Sequence, residues 1–258
     1  MPVDNELYNR PGDLWWDDNA AFALLRTAFN PARFGYFRQA LLDRLRLDPR
    51  GLRALDVGCG GGLLAEEFAR LGCRVTGIDP SEPSLATARA HAQASGLSID
   101  YRVGVGEQLP FEDACFDLVY CCDVLEHVNN LERVIAETAR VLKPGGVYCY
   151  DTINRTLPSK LITIKLFQEW PATRFLPPHL HDWNQYIKPR ELQRLLTQHG
   201  LVVQEIRGLN LASNPLTLLR SLRRFKRGAM SYKELGEATR FHVGGPRLVA
   251  YIGYALKL

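Results

Sequence analysis

Four glycines crowd into residues 54–62, which read ALDVGCGGG and place Asp56 at the end of an apolar run. A glycine-rich turn between a strand and a helix lets a ligand approach the main chain, where side chains would otherwise collide. A phosphate-binding P-loop requires Gly-Lys-Ser/Thr at its end, but Leu63 and Leu64 follow Gly62 here. The turn therefore predicts a ligand site of another kind.

The carboxylate of Asp56 discriminates between the remaining nucleotide-type ligands. It would repel the pyrophosphate of a dinucleotide, which carries about two negative charges. The dinucleotide pattern Gly-x-Gly-x-x-Gly would also place Leu63 at its third glycine position. A ligand with an ammonium or sulfonium group would instead be attracted. The sequence thus favours S-adenosylmethionine over NAD, with Asp56, Gly58 and Gly60 as cofactor-binding residues.

Two further acidic residues follow the next predicted strands. Asp79 closes the second strand, where its carboxylate can accept hydrogen bonds from both ribose hydroxyls of an adenosine. Glu107, with Gln108 as its alternative, lies near the end of the third strand, within expected reach of the adenine. A competing interpretation makes Asp79 only a cap for the helix that begins near Ser81.

These residues lie at the ends of elements that alternate regularly along the chain. Apolar strands are predicted at 52–57, 74–79, 99–104, 116–122 and 147–152, and amphipathic helices at 62–72, 81–96 and 129–146. Such alternation implies a parallel sheet with helices on both faces. A helix at 189–200 and strands at 201–208 and 247–258 continue the α/β pattern.

Two long segments interrupt this pattern, and an aromatic-rich segment precedes it. Residues 154–186 and 210–241 are too long for simple connections, and long excursions of this kind are commonly functional lids. The aromatic side chains before residue 52 predict a cap folded onto the domain and not a disordered tail. We therefore expect an N-terminal helical cap at 1–51 and a cofactor-binding domain at 52–258.

The composition is that of an ordinary globular protein, with 46% hydrophobic and 23% charged residues. A net charge of +4 is too mild to argue for a nucleic-acid partner. No apolar run approaches the roughly 18–20 residues that span a bilayer, and no signal-peptide pattern opens the sequence. The six cysteines form no metal-spaced pair, so we interpret them as reduced core thiols of a cytoplasmic protein.

Several motifs resemble class I S-adenosylmethionine-dependent methyltransferases, across roughly residues 52–208. The resemblance narrows to the ubiquinone-biosynthesis O-methyltransferases through WWDDNAAFALLRTAFNPARFGYF, LDVGCGGGLLAEEFARLGCRVTGID, DVLEHV, VLKPGG, INR and HDWNQYIKPREL. It implies a doubly wound, Rossmann-like α/β fold with a seven-stranded, mostly parallel sheet whose last strand is antiparallel. It also implies O-methylation of a catechol or phenol, such as a polyprenylated quinone precursor. The alternatives are another small-molecule O- or N-methyltransferase and a cofactor-binding protein without catalysis.

The resemblance implies roles for individual residues. In that family the arginine of the NPxR element contacts the cofactor, which implies this role for Arg33. The first loop glycine corresponds to Gly58, the ribose-binding acid to Asp79, and the residue just past the fourth strand to Cys122. The resemblance therefore adds Arg33 and Cys122 to the expected cofactor site.

The resemblance also implies a divalent-metal site at Asp123, Glu126 and His127, with Mg²⁺ or Zn²⁺ as the ion. If this segment is helical, the spacing places all three groups on one face. A cation held there could bind the vicinal oxygens of a catechol and lower the hydroxyl pKa. The usual first residue is Glu, so Asp123 departs from the family pattern. Without a metal, Glu126 and His127 would act in hydrogen bonding or acid–base catalysis.

His181, in the motif HLHDW, matches the histidine that precedes Asp and an aromatic residue in the family. Its imidazole could act as the general base that removes a phenolic proton. The competing interpretation is a packed structural histidine. Methyl transfer itself requires mainly in-line alignment and a deprotonated acceptor, because the sulfonium is already activated.

Two segments are candidates for peripheral contact with the inner membrane. Residues 158–178 mix apolar and basic side chains and would either lie on a bilayer or cover the site as a lid. Residues 218–233 carry a basic cluster that lengthens the chain beyond the usual family pattern. That cluster is interpreted first as a solvated helix face, then as a membrane patch, and last as an RNA site. The sequence leaves the acceptor and the oligomeric state open.

Overall fold

A computed structural model describes residues 8–9, 14–171, 173–174, 176 and 180–258. In this part of the chain, one sheet contains eight strands in the order β3-β2-β1-β4-β5-β8-β6-β7. They are β1 (Arg53–Val57), β2 (Arg74–Asp79), β3 (Asp100–Val103), β4 (Phe116–Cys122), β5 (Leu142–Ile153), β6 (Leu201–Leu211), β7 (Phe241–Val243) and β8 (Ala250–Lys257).

The direction of the strands confirms the doubly wound α/β prediction. Strands β1 to β5 pair in parallel, and β8 runs antiparallel to both β5 and β6, as expected for the last strand. The sheet exceeds the expected seven strands by the short edge strand β7, which pairs with the end of β6. The predicted insertion at 210–241 therefore contributes its first two residues, Asn210 and Leu211, and its last, Phe241, to the sheet.

The central strands are apolar on both faces because helices cover them on both sides. In β4, the side chains from Leu118 to Cys121 are all buried, and Leu55 and Val57 of β1 are buried beside them. Helix α2 (Leu63–Arg70) follows β1, and α3 (Glu82–Ala94) follows β2. Helix α4 (Leu131–Val141) follows β4, and α6 (Pro189–Gln198) lies between β5 and β6. Their positions match the sequence prediction.

One boundary differs from the sequence prediction. The helix expected at 129–146 ends at Val141, and β5 already begins at Leu142. Pro144 cannot donate the backbone hydrogen bond that would continue a helix, and Gly145 adopts a φ of +76°. The register of β4 against β5 shifts at this point, so the KPGG stretch forms an irregular start to the strand.

The N-terminal segment forms one continuous helical stretch before the sheet. Helix α1 (Asn30–Gln39) lies between π-helical turns at Leu25–Phe29 and Ala40–Arg44. Phe37 and Leu41 are fully buried in the same core cluster as Leu64 and Phe68 of α2. The expected cap therefore shares the core of the sheet domain; residues 1–7 and 10–13 of that cap lie outside the described residues.

The two insertions contain several helical segments. The first contains α5 (Leu157–Ser159), the π-helical segment Lys160–Glu169 and a 3₁₀ turn at Trp183–Gln185. Residues 172, 175 and 177–179 of this expected lid lie outside the described residues. The second contains α7 (Pro215–Lys226) and α8 (Tyr232–Ala238). None of the described helices combines the length and apolar character needed to cross a membrane.

The second insertion packs against the N-terminal segment. The amide of Lys233 donates to the Asp18 carbonyl at 3.0 Å, and its ammonium lies 3.1 Å from the Asp18 carboxylate. The rings of Phe29 and Phe241 stack with their centroids 3.9 Å apart. These contacts join the second insertion to the N-terminal segment.

Candidate active site

A cavity of about 360 Å³ opens at the carboxyl ends of β1, β2 and β4. The strand order reverses between β1 and β4, and ligands of doubly wound sheets bind in the crevice at such a switch point. The sequence-predicted residues that line this cavity are Arg33, Asp56, Gly58, Asp79, Glu107, Cys122, Asp123 and His127. The structure thus brings together residues that are up to 94 positions apart, from 33 to 127.

The glycines of the loop have different surroundings. Gly58 lines the cavity with a φ of +75°, and a Cβ there would lie 2.3 Å from Cγ2 of Val124. A side chain is therefore excluded both by conformation and by space. At Gly60, a Cβ would lie 2.3 Å from the Trp15 ring, so this glycine faces the N-terminal segment. The two glycines predicted to bind cofactor thus contact different partners.

Asp79 joins the glycine loop to the start of α3. Its two carboxylate oxygens accept hydrogen bonds from the amides of Gly60 at 2.9 Å and Ser81 at 2.8 Å. Ser81 is itself the helix cap, because its hydroxyl accepts from the Ser84 amide. Burial raises the pKa of Asp79, whereas the two amide hydrogen bonds lower it. Asp79 therefore supports the loop while its carboxylate still faces the cavity.

Asp56 is a buried carboxylate at the end of β1. Its Oδ2 atom has no hydrogen-bond partner among the described residues, although the residue lines the cavity. Burial raises the pKa of Asp56 well above its ordinary range, and the nearby charge of Asp79 raises it further. A cationic ligand group in the cavity would supply the missing partner and favour ionisation of the carboxyl.

Glu107 lines the cavity and also contacts the segment that precedes α4. Its carboxylate accepts a hydrogen bond from the Asn129 amide at 3.0 Å. The Glu107 carbonyl accepts from Nε of Arg133 at 3.1 Å. The side chain predicted to reach the adenine therefore holds the β4–α4 loop against the β3 end, which shapes the cavity wall.

Arg33 is buried and bound by two carboxylates. Its guanidinium donates to Asp123 Oδ2 at 2.5 Å, to Asn30 Oδ1 at 2.6 Å, and to both oxygens of Asp151. Burial alone would lower the pKa of Arg33, but the two carboxylates outweigh it and the pKa is raised. Cys122, the last residue of β4, also lines the cavity. Sequence reasoning missed Asp151, whose only signal was an acid at the end of the predicted fifth strand.

Asp123 is not grouped with Glu126 and His127, its expected partners in a metal site. The segment 123–127 is a turn and not a helix, and Asp123 has a φ of +55°. Its side chain turns toward Arg33, and its amide donates to Asp151 at 3.2 Å. The helical face that Asp123, Glu126 and His127 were expected to share is therefore not formed, because residues 123–127 form a turn.

Glu126 and His127 instead lie beside His181, from the first insertion. Potential ligand atoms of these three residues lie within 4.8 Å of one another, and the two imidazole rings have centroids 5.2 Å apart. Glu126 accepts a hydrogen bond from the Thr152 hydroxyl at 2.7 Å. Its other oxygen and the Nδ1 atoms of both histidines have no hydrogen-bond partner among the described residues. We call these three residues the acceptor cluster.

Burial determines the protonation states in the acceptor cluster. It raises the pKa of Glu126 to about 8, with a further contribution from the charge of Asp123. It lowers the pKa of His127 to about 4 and that of His181 to about 3. At neutral pH the cluster therefore contains a protonated carboxyl and two neutral imidazoles. Neutral imidazoles can accept a proton or ligate a cation.

Aromatic residues of the N-terminal segment close the outer side of the cavity. Tyr8 and Trp15 line it, and Trp15 Nε1 donates to the Ser84 hydroxyl at 3.0 Å. Trp16 Nε1 donates to the Gly61 carbonyl at 2.9 Å, and its ring stacks on His91. The sequence indicated a cap through its aromatic content but not which rings would meet the glycine loop.

Comparison with known proteins shows the family of the chain. Residues 55–150 match a family described as "Methyltransferase domain". The chain is 41% identical to the ubiquinone biosynthesis O-methyltransferase of Caulobacter vibrioides, over 84% of this chain and 86% of that protein. It is 40% identical to the protein of the same name from Maricaulis maris, over 84% and 85%.

A solved structure supports the fold independently of sequence. Magnesium protoporphyrin IX methyltransferase from Synechocystis PCC 6803, with bound SAH, superposes with a TM-score of 0.61. The match covers 95% of this chain and 91% of that chain at 19% sequence identity. At this level of identity the likeness concerns the fold alone.

Proposed function

Because the chain belongs to the ubiquinone biosynthesis O-methyltransferase family, we propose that it transfers the methyl group of S-adenosylmethionine to a phenolic hydroxyl of a polyprenylated quinone precursor. The assignment of the active site rests on one observation. The cavity that begins at Asp56 and Asp79 ends at His127, a member of the buried acceptor cluster. A donor bound along the cavity would present its methyl group to that cluster.

The donor end suits S-adenosylmethionine in its charge and its backbone. The buried Asp56 carboxyl offers a partner for a cationic group, and the bare backbone at Gly58 allows close approach. Asp79 can accept hydrogen bonds from the ribose hydroxyls while it retains its two amide partners. Arg33, Glu107 and Cys122 shape the surrounding wall.

The acceptor cluster supplies proton transfer. A phenol placed beside it donates a hydrogen bond to a neutral imidazole nitrogen of His127 or His181. Because burial lowers the pKa of both imidazoles, the proton passes to the nitrogen as the phenol oxygen attacks the methyl carbon in line. The carbon–sulfur bond breaks in the same step, and S-adenosylhomocysteine is released. Glu126, protonated at neutral pH, can donate a hydrogen bond to the second oxygen of a catechol.

The acceptor cluster also has the donor types of a divalent-metal site. A carboxylate and two imidazoles within 4.8 Å suit Zn²⁺ better than Mg²⁺, which prefers oxygen ligands. Glu126, His127 and His181 would hold the ion, while Asp123 stays paired with Arg33. A bound cation would lower the pKa of the catechol hydroxyls.

The activity is tested by methyl transfer from labelled S-adenosylmethionine to prenylated and unprenylated catechols. We expect transfer to a catechol oxygen, with faster turnover of the prenylated acceptor. Protein treated with a chelator and then supplied with Zn²⁺ or Mg²⁺ tests the cation, which we expect to restore lost activity. Binding of the donor without methylation of any phenol would overturn the proposed function.

We also propose that the two insertions form a peripheral membrane surface. Leu157, Leu161 and Trp170 of the first insertion are exposed, as are Leu216 and Leu219 of α7. Nζ of Lys226 donates to the Pro171 carbonyl at 3.0 Å, which joins the two segments. Basic side chains of α7, Arg220, Arg223, Arg224 and Lys226, lie in the same helix as the exposed leucines. Such a surface suits an acceptor whose tail partitions into lipid.

Liposome flotation tests this surface with anionic and neutral vesicles. A variant with Leu161→Ser, Trp170→Ser and Leu219→Ser should bind anionic vesicles less than the unmodified chain does. Charge reversal of the exposed Glu112, on the β3–β4 connection, serves as the control substitution. Equal flotation of all three proteins would remove the membrane role.

A further inference from the structure

Tyr8 connects the two ends of the cavity. Its carbonyl oxygen accepts hydrogen bonds from the hydroxyls of Ser81 at 2.6 Å and Ser84 at 3.1 Å. These serines cap and open α3, directly after Asp79. The backbone of Tyr8 is therefore fixed beside the expected ribose site, and its side chain lines the cavity.

The ring of Tyr8 extends from this anchor toward the acceptor cluster. It stacks on Phe22 with a centroid distance of 5.5 Å and an interplanar angle of 8°, and Trp15 lies 6.1 Å away. Its edge-to-face partner is His127, at 6.3 Å and 89°. The stacked rings of Phe22 and Trp15 hold the phenol in one orientation along the cavity wall.

Acidic side chains lie near the phenol. Burial is the largest cause that raises the pKa of Tyr8, and the negative charges of Asp123, Glu126 and Asp79 act in the same direction. The hydroxyl therefore keeps its proton. It can donate a hydrogen bond to an acceptor oxygen, which leaves the lone pairs of its own oxygen available to a positively charged group.

The donor must place its sulfur in this stretch of the cavity, a step that rests on the proposed function. The ribose lies at Asp79, and the methyl group must face the histidines of the acceptor cluster. The sulfur atom connects ribose and methyl, so it lies between these two ends. Tyr8 spans the same interval, from Ser81 to His127.

We propose that the Tyr8 hydroxyl contacts the sulfonium and makes the site prefer the charged methyl donor over its uncharged product. S-adenosylmethionine and S-adenosylhomocysteine differ only in the methyl group and the positive charge it brings. Contacts to adenine, ribose and the amino-acid part affect both ligands equally. A polarised oxygen beside the sulfur stabilises only the charged ligand. Product release after transfer is thereby favoured.

Calorimetric titration of both ligands against the Tyr8→Phe protein tests the inference. We expect the Kd of S-adenosylmethionine to rise about 3–10-fold, as for loss of one hydrogen-bonding group, with the Kd of S-adenosylhomocysteine unchanged within about 2-fold. In turnover, inhibition by added product should become stronger relative to the donor KM. Tyr8→Leu should lower the donor preference at least as much.

Tyr36→Phe is the matched control, because its hydroxyl bonds Glu205 at 3.0 Å and lies outside the cavity. It should leave both affinities unchanged. Equal losses for the two ligands in Tyr8→Phe, or an unchanged ratio of their affinities, would overturn the role of Tyr8. Failure of the unmodified chain to bind S-adenosylmethionine at all would instead overturn the proposed function.

Discussion

The two ends of the cavity are built in different ways. At the donor end, Asp79 and Arg33 have their polar groups engaged by neighbouring amides and carboxylates, all within the protein. At the acceptor end, Glu126, His127 and His181 each keep a buried polar atom without a partner among the described residues. At the donor end, Oδ2 of Asp56 is likewise buried without a partner among the described residues. Since such atoms cost free energy when left unpaired, both ends await a ligand. The acceptor end differs because three of its side chains, and not one, carry such an atom.

The strongest test of this contrast removes an imidazole from the acceptor end. His181→Gln should lower kcat by about 10²–10⁴-fold, because it deletes a group that takes the phenolic proton. The Kd of S-adenosylmethionine should stay within about 2-fold of that of the unmodified chain. His242→Gln, an exposed histidine on β7, is the matched control. A parallel loss of donor affinity in His181→Gln would contradict the division into two ends.

The buried carboxyl of Glu126 should make stability depend on pH. Its pKa is about 8 in the folded chain and near 4.5 when exposed, so the folded state holds a proton that the unfolded state releases. Its contribution to stability is therefore complete below about pH 4.5 and is lost as the pH rises through about 8. Glu126→Gln does not titrate and should gain about 4 kcal/mol relative to the unmodified chain between pH 5 and pH 9.

Urea denaturation at both pH values measures this difference. Glu137→Gln serves as a control, because Arg140 and the Leu109 amide hold the pKa of that carboxyl below its usual range. The control should not gain stability at the higher pH. A constant difference between Glu126→Gln and the unmodified chain would show that Glu126 is ionised throughout.

The donor end is tested at Asp79. Asp79→Asn keeps one oxygen acceptor but loses the charge that strengthens hydrogen bonds from ribose hydroxyls and from the loop amides. We expect the Kd of S-adenosylmethionine to rise about 10–30-fold, while kcat at saturating donor falls less than about 3-fold. Calorimetry and initial rates measure the two values. A drop confined to kcat would place Asp79 in the chemistry and not in binding.

Asp123 lies at the junction of the two ends and should give the smallest effect. In Asp123→Asn, Arg33 keeps its pairing with Asp151, so the donor Kd should rise only about 2–5-fold. The response of activity to chelation and to added Zn²⁺ should not change. If the variant alone abolished that response, Asp123 would be a metal ligand, as the sequence pattern first suggested.

The donor end could be predicted from sequence because its parts are close along the chain. Asp56, Gly58 and Asp79 follow two successive parallel strands, and the ends of adjacent parallel strands meet at one edge of a sheet. The alternating elements likewise predicted that the strands run parallel. Only the short edge strand β7 and the early start of β5 at Leu142 departed from that pattern.

The acceptor end could not be predicted in the same way, since its geometry depends on long-range packing. The family resemblance grouped Asp123 with Glu126 and His127, but Asp123 has a positive φ and its side chain pairs with Arg33, 90 residues away in sequence. His181 reaches the cluster from an insertion whose path carries no periodic pattern. Tyr8 and Asp151 had no motif around them, so only the fold reveals their place.

The position of β8 between β5 and β6 bears on how the site comes into being during translation. Asp151 and Thr152, which hold Arg33 and Glu126, face β8 across the ladder at Ile252 and Tyr251. On the ribosome, β8 emerges after every other strand of the sheet. The edge of β5 therefore remains open while some hundred residues are added, exposed to mispairing with other chains. The nascent chain can complete its site only after β8 has paired with both β5 and β6.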